Sequence, residues 1–351
     1  MKKNKKSLSR NKKMITSLAI VTVAYIALTV LKSTGGLTRM FTALLVPVTC
    51  YIVAALGLNL NVGFSGELNL GQAGFMSVGA FSAAIVSGML ETSISSGAVR
   101  LLIAIIVGGI LAGFIGWLIS IPVLKLQGDY LAIVTLAFGQ ILMSILSNLY
   151  VGVDSTGLHA SFVDNNVTLG EGGKMLISGP MGAVGVKMVS NFTAGFILTV
   201  IAIIVVYHLI DSRQGRAIEA CRDNRIAAET IGINVSRTKT LAFVVSAALA
   251  GCAGALYGLN YSSFVATKFD FNTSILILVY VVLGGLGNVT GTIIATTLLV
   301  VLPEVLRFLS SYRMLIYAVV LIVIMLVTNN EKIRTFMDKL KTGRAKEAKE
   351  S

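Results

Sequence analysis

Apolar residues run in long stretches through almost the whole chain, broken by short glycine-rich or charged segments. Ten stretches stand out: 14–31, 41–58, 68–90, 99–121, 130–150, 193–210, 241–262, 274–285, 288–306 and 313–328. Most approach the roughly 20 residues that a helix needs to cross the hydrocarbon core. The pattern predicts an all-α, polytopic membrane protein of about ten transmembrane helices, or eight if 274–306 does not cross as drawn. It divides the chain into a tail at 1–13, a membrane domain at 14–328 and a second tail at 329–351. The first stretch follows a basic segment, as a signal peptide does. It is long for an h-region and is followed by no small-x-small site, so an uncleaved span is expected.

Composition agrees. Of 351 residues, 55% are hydrophobic and 13% charged, against about a quarter charged in soluble domains. That excludes a large soluble catalytic domain. The 3 Cys are too few for a disulfide framework. The net charge of +13 is concentrated in three places: residues 1–13, 211–240 and 331–351 hold 20 of the 29 Lys and Arg. Short basic segments remain on the cytoplasmic side of a membrane. The charge therefore reads as topology and not as a nucleic-acid surface. Both tails and 211–240 are expected inside, and 151–192, with three acidic and two basic residues, outside. With an even count of ten, spans 2–5 and 7–10 have opposite topology, as in an inverted-repeat bundle.

Glycine spacing predicts close helix packing. Gly108, Gly109, Gly113 and Gly116 lie near one face of the fourth span, and Gly251, Gly254 and Gly258 near one face of the seventh.

Three segments do not read as simple spans. Residues 57–79 crowd Asn59, Asn61, Ser65, Glu67, Asn69 and Gln72 among glycines. Lipid does not tolerate such a run, because each unsatisfied polar group costs several kcal/mol there. It is either a broken helix lining a pathway or a polar turn between spans. Glu67 is the only acidic residue before Glu91. In 128–140, Asp129 suits a helix N-terminus, and Thr135 and Gln140 lie deeper, as candidates for lining a pathway. The run 284–291, G-G-L-G-N-V-T-G, lacks the Lys of a P-loop and reads as a tight turn.

The segment 211–240 is too charged to span, yet intermittent Ala and Ile give it a helical texture. It reads as a surface helix docking on a soluble partner, with Ala227, Ala228 and Ile231 on one face and Gly232 ending it. Arg222 and Arg225 would steer that docking. No nucleophile–base constellation, ATP-binding motif or metal-spaced His/Cys/Asp/Glu cluster occurs, so no catalytic or metal site is expected.

These segments, in order over about 57–306, resemble the branched-chain amino-acid ABC transporter permeases of LivM type. The matching runs are G-L-N-L…G-E-L-N-L-G-Q-A at 57–73, G-D-Y-L-A-I-V-T-L at 128–136, the loop at 212–234, A-G-A-L-Y at 253–257, and 275–291. The resemblance implies one permease of an importer for branched-chain or other neutral amino acids in a bacterial cytoplasmic membrane. Its implied partners are a homologous LivH-type permease, two ATP-binding subunits, an external substrate-binding protein and membrane lipid. It implies no cofactor in this chain: ATP would be used by the partner subunits. A related branch of such permeases carries sugars or nucleosides; an ion-coupled secondary transporter and a membrane enzyme or scaffold are the further alternatives. The loop also resembles the permease pattern E-A-A-x-x-x-G through Ala227, Ala228 and Gly232. Ile226 stands where that pattern has Glu, leaving Glu229 or Glu219 for that role.

Overall fold

The computed structural model describes residues 2–306, except 37, 92–93, 127, 155–156 and 163–172, and six residues between 315 and 322. Of the ten predicted spans, the last, at 313–328, lies largely outside the described residues. Among the described residues, eight helices are long and apolar enough to cross a membrane, and Val289–Val305 is a shorter apolar helix. In chain order they are α1 (Lys2–Ser33), α2 (Arg39–Asn59), α3 (Gln72–Met89), α4 (Gly97–Val123), α5 (Asp129–Ser147) and α6 (Phe192–Asp211). Two short helices, α7 (Arg213–Asp223) and α8 (Arg225–Thr230), precede α9 (Val235–Gly258), α10 (Phe271–Gly284) and α11 (Val289–Val305). The predicted stretch 274–285 is lengthened by a 3₁₀ turn, Ala266–Phe269, which brings it to spanning length.

The bundle centres on α3, α4 and α9, and its glycines explain why. Gly108 of α4 faces Gly79 of α3 and Ala255 of α9, while Gly113 and Gly116 face Ala248 and Ala247. Gly254 and Gly251 of α9 lie against the backbones of Met76 and Gly108. In lipid no hydrophobic force draws helices together, so backbone contact through small residues takes its place.

The structure adds one element to the helical architecture. Between α5 and α6 the chain forms β1 (Tyr150–Asp154), β2 (Gly157–Ser161), β3 (Lys174–Ser178) and β4 (Ala183–Val184), and β5 (Ser263–Phe264) joins after α9. They make one antiparallel sheet in the order β2-β1-β3-β4-β5. Pairing of Ala183 with Phe264 puts the α9–α10 connection at the same end of the bundle as this sheet. The opposite end carries α7 and α8.

Candidate functional site

The polar run 57–79 is a broken helix and not a turn. α2 passes into a π-helical stretch, Leu60–Ser65, which ends at Gly66 with φ +73°, a left-handed conformation that glycine adopts without cost. Residues 66–71 are not helical, and α3 begins at Gln72. The segment starts near Lys239 in the first turns of α9, which pairs with Glu67, and ends at Ser246, whose hydroxyl donates to Gln72 Oε1 at 3.4 Å. Those seven residues of α9 rise about 10 Å. The non-helical backbone therefore enters the bundle interior.

Its peptide groups are satisfied by neighbours and not by a helix ladder. Leu70 N–H donates to Thr135 Oγ1 (3.1 Å), Gly71 N–H to Asn69 Oδ1 (2.9 Å) and Ala73 N–H to Ser274 Oγ (3.1 Å). Broken backbone at membrane depth persists only when it is buried in protein or lines a cavity. Here α5 can lie against it because Gly71 meets the Thr135 carbonyl and Gly74 meets Gly139 without side chains between.

The candidate pathway residues divide by role. Asn59 holds the turn between α10 and α11: Gly287 N–H donates to its Oδ1 (2.9 Å), and its Nδ2 donates to Thr292 Oγ1 (3.0 Å). Gly285 and Gly287 in that turn have positive φ, so 284–291 is the tight turn its glycines foretell. Gln72 Nε2 donates to the Ala54 carbonyl at 3.1 Å, and Asn69 Nδ2 to Gln72 Oε1 at 3.3 Å. Thr135 braces Leu70. Asn61 and Ser65 differ: both are buried, and neither side chain has a hydrogen-bond partner. Four residues apart on the π-helical stretch, they are the polar groups in this run left unsatisfied. Gln140 is half-buried, one residue beyond Gly139, and is not brought to the others by any described hydrogen bond.

The charged loop differs from the single docking helix expected. Asn224 divides it: its Oδ1 accepts from Ala227 N–H at 3.0 Å and caps α8. Gly232, at φ +85°, closes α8 in a Schellman motif, with Gly232 N–H donating to the Glu229 carbonyl and Ile233 N–H to Ala228. This geometry turns Ala228 inward. It is 2% exposed and packs with Cys221, Val235 and Ile233, so it cannot face a partner as part of the docking surface. Burial also pushes the Cys221 thiol up. The outward face consists of Ile226 (75% exposed), Ala227, Glu229, Ile231 (74%) and Gly232. Arg225 pairs with Glu229 at 3.1 Å within α8.

Arg222 is likewise directed differently from its expected steering role. Its Nη1 donates to the Gly63 carbonyl at 2.9 Å, its Nε and Nη2 reach Asp223, and its Cγ lies over Gly66. Together with the Glu67–Lys239 ion pair, this ties the charged loop to the broken helix at two points. Both members of the pair are only 12% exposed. Nothing within residues 57–79 or 211–240 taken separately reveals this contact.

Against known proteins, residues 40–327 match the family described as branched-chain amino acid transport system / permease component. The chain is 33% identical over 286 residues to the high-affinity branched-chain amino acid transport system permease protein LivM of Escherichia coli K12, covering 79% of this chain and 66% of that protein. The LivM protein of Salmonella typhimurium is also 33% identical, over 84% of this chain and 71% of its own length. The LivH permease of Escherichia coli K12 is 26% identical over 79% of this chain and 89% of its own. No solved structure matches.

Proposed function

The chain belongs to the permease family of the branched-chain amino acid transport systems, and from that premise we propose that it is the membrane subunit through which an ABC importer passes branched-chain or other neutral amino acids into the cell. It works beside a second, LivH-type permease. Two ATP-binding subunits sit under its charged loop, and an external binding protein delivers substrate at the sheet end. Similarity to both LivM and LivH proteins supports a paired permease. The positive charge of the two tails and of 211–240 supports a cytoplasmic placement of that end.

The observation that carries the mechanism is the two-point tie. ATP-driven closure of the partner subunits displaces α7, α8 and the first turns of α9 that follow them. Arg222 and Lys239 carry that displacement to Gly63 and Glu67, at the foot of the non-helical segment. The segment has no helix ladder and is held by side-chain hydrogen bonds, among them those of Thr135 and Ser274, so it yields before the helices around it. Asn61 and Ser65, unpaired in this state, gain water or substrate partners as the segment moves.

Uptake of labelled leucine and of uridine in cells with and without this chain tests the reading. Leucine uptake that requires both the chain and ATP is the expected result. A nucleoside ABC permease of Lactococcus lactis, 25% identical over 55% of the chain, makes uridine the informative control. Uridine uptake lost in place of leucine selects the nucleoside reading. Ion-driven uptake by the isolated chain in liposomes overturns the importer altogether.

A further inference from the structure

Apart from the broken helix, the bundle holds a second polar grouping, made of aromatic rings. Tyr51 of α2 lies 6.2 Å from Tyr257 of α9 and 6.2 Å from Tyr280 of α10, both edge-on. Tyr257 is 4.9 Å from Tyr261 and 5.6 Å from Phe269. Tyr51, Tyr257 and Tyr261 are only half-buried, so the array is an open wall and not a sealed core. A tyrosine belt at the headgroup level would sit at one depth. This array does not: Tyr261 lies beyond the end of α9, Tyr51 is about 18 Å along α2 from its sheet end, and Tyr280 is about 14 Å along α10.

Asp270 closes one side of the array. It follows Phe269, whose ring lies edge-on to Tyr257 at 5.6 Å, and so stands at the edge of the array. Its Oδ1 accepts from Thr273 N–H (2.9 Å) and its Oδ2 from Asn272 Nδ2 (2.8 Å), which fixes the carboxylate as the cap of α10. Among the described residues no cation pairs with it, whereas Glu67 has Lys239. A carboxylate without a counter-ion, next in the chain to a ring of a tyrosine array, is a chemical match for an alkylammonium group. The rings attract the cation through their quadrupoles and also offer apolar surface.

We propose that Tyr51, Tyr257, Tyr261 and Asp270 form a recognition site, on the sheet side of the broken helix, for the ammonium group and aliphatic side chain of an amino-acid substrate. The site rests on the importer reading, to which it adds a place of contact. Tyrosine faces bind weakly and without fixed geometry, as a transport pathway requires: the substrate must enter and also leave.

The test uses the full-length chain in lipid nanodiscs, with saturation-transfer NMR as the readout and L-leucine and its 2-oxo acid as probes. The oxo acid keeps the side chain and carboxylate and lacks the ammonium group. Leucine is expected to give signals and the oxo acid none. Asp270→Asn keeps a good helix cap but removes the charge, and Tyr257→Leu keeps apolar bulk but removes the ring. Each is expected to cut the leucine signal about fivefold. Tyr257→Phe keeps the ring face and is expected to remain within about twofold of wild type. Equal leucine signals in all four proteins, or equal binding of the oxo acid, overturn the site. Cell uptake separates this from the importer reading. Chain-dependent leucine uptake that is unchanged in Asp270→Asn and Tyr257→Leu removes the site and leaves the importer. Leucine uptake that does not depend on the chain removes the importer.

Discussion

Arg222 Nη1 donates to the backbone carbonyl of Gly63 at 2.9 Å, joining residues 159 positions apart in sequence. The contact is made by a guanidinium to a main-chain oxygen. What it holds is therefore the path of the backbone, whatever side chain stands at position 63. Arg222→Ala releases the foot of the broken helix from the charged loop. A hydrogen bond of this charge-assisted kind contributes about 1.5–3 kcal/mol, enough to loosen the tie without unfolding the bundle. The expected outcome is normal membrane insertion with more ATP hydrolysed per leucine taken up, measured in reconstituted vesicles. An unchanged ratio removes Arg222 from the coupling route.

The second tie is ionic, and charge exchange tests it. Replacing one member of a mostly buried pair strands the other charge, at a cost of about 3–5 kcal/mol. Glu67→Lys and Lys239→Glu singly are expected to lower uptake severely and thermal stability measurably. The double exchange restores the pairing and is expected to recover much of both. If the double variant is no better than the singles, the pair does not act as a unit.

Much of this arrangement was legible in the sequence, for identifiable reasons. The glycine faces of α4 and α9 announced the close-packed core, because few residues other than glycine let helix backbones touch. The clustered amides of 57–79 announced that no simple lipid-facing span runs through them, because lipid excludes such groups; whether they form a broken helix or a turn was not legible, since that depends on the partners Thr135, Ser274 and Ser246 supply. The five-stranded sheet was not legible. Its strands are two to five residues long, interrupted by glycines, and completed by β5 from nearly 80 residues further on. The inward turn of Ala228 was hidden for a related reason: the face a six-residue helix buries depends on its partners, here Cys221 and Val235, and not on its own periodicity. Asn224 and Asn234, each accepting from a backbone N–H three residues on, were the available signals that the loop is divided.

Sidedness follows from the same contacts. Ser263 is exposed on β5, at the sheet end, and Ser236 is exposed in the first turn of α9, at the loop end. Cysteine at 263 is expected to react with a membrane-impermeant maleimide on intact cells, and cysteine at 236 only after permeabilisation. The native Cys50 and Cys221 are buried and Cys252 is half-buried, so Cys252→Ala is introduced first to keep the background low. The reverse labelling pattern inverts the chain in the membrane and places the ATP-binding partners at the wrong end.

The outward face of α8 gives the sharpest distinction between folding and docking. Ile226 and Ile231 lie outside the membrane-spanning helices, and each is about three-quarters exposed. Two branched apolar side chains in water, five residues apart and flanking the small Ala227, are what a partner groove would cover. A side chain that docks loses contact energy only when the partner is present, whereas one that packs at home destabilises the chain alone. Ile226→Asp and Ile231→Asp are therefore expected to leave the thermal stability of the isolated chain unchanged. They are expected to weaken association with the ATP-binding subunits about tenfold or more, the order for a buried interface anchor. Ala228→Asp should behave oppositely, since it drives a charge into the Cys221–Val235 contact and lowers stability without any partner. Stability measured on the chain alone and co-purification measured on the complex separate the two effects. If the isoleucine variants co-purify at wild-type levels, α8 is not the docking element.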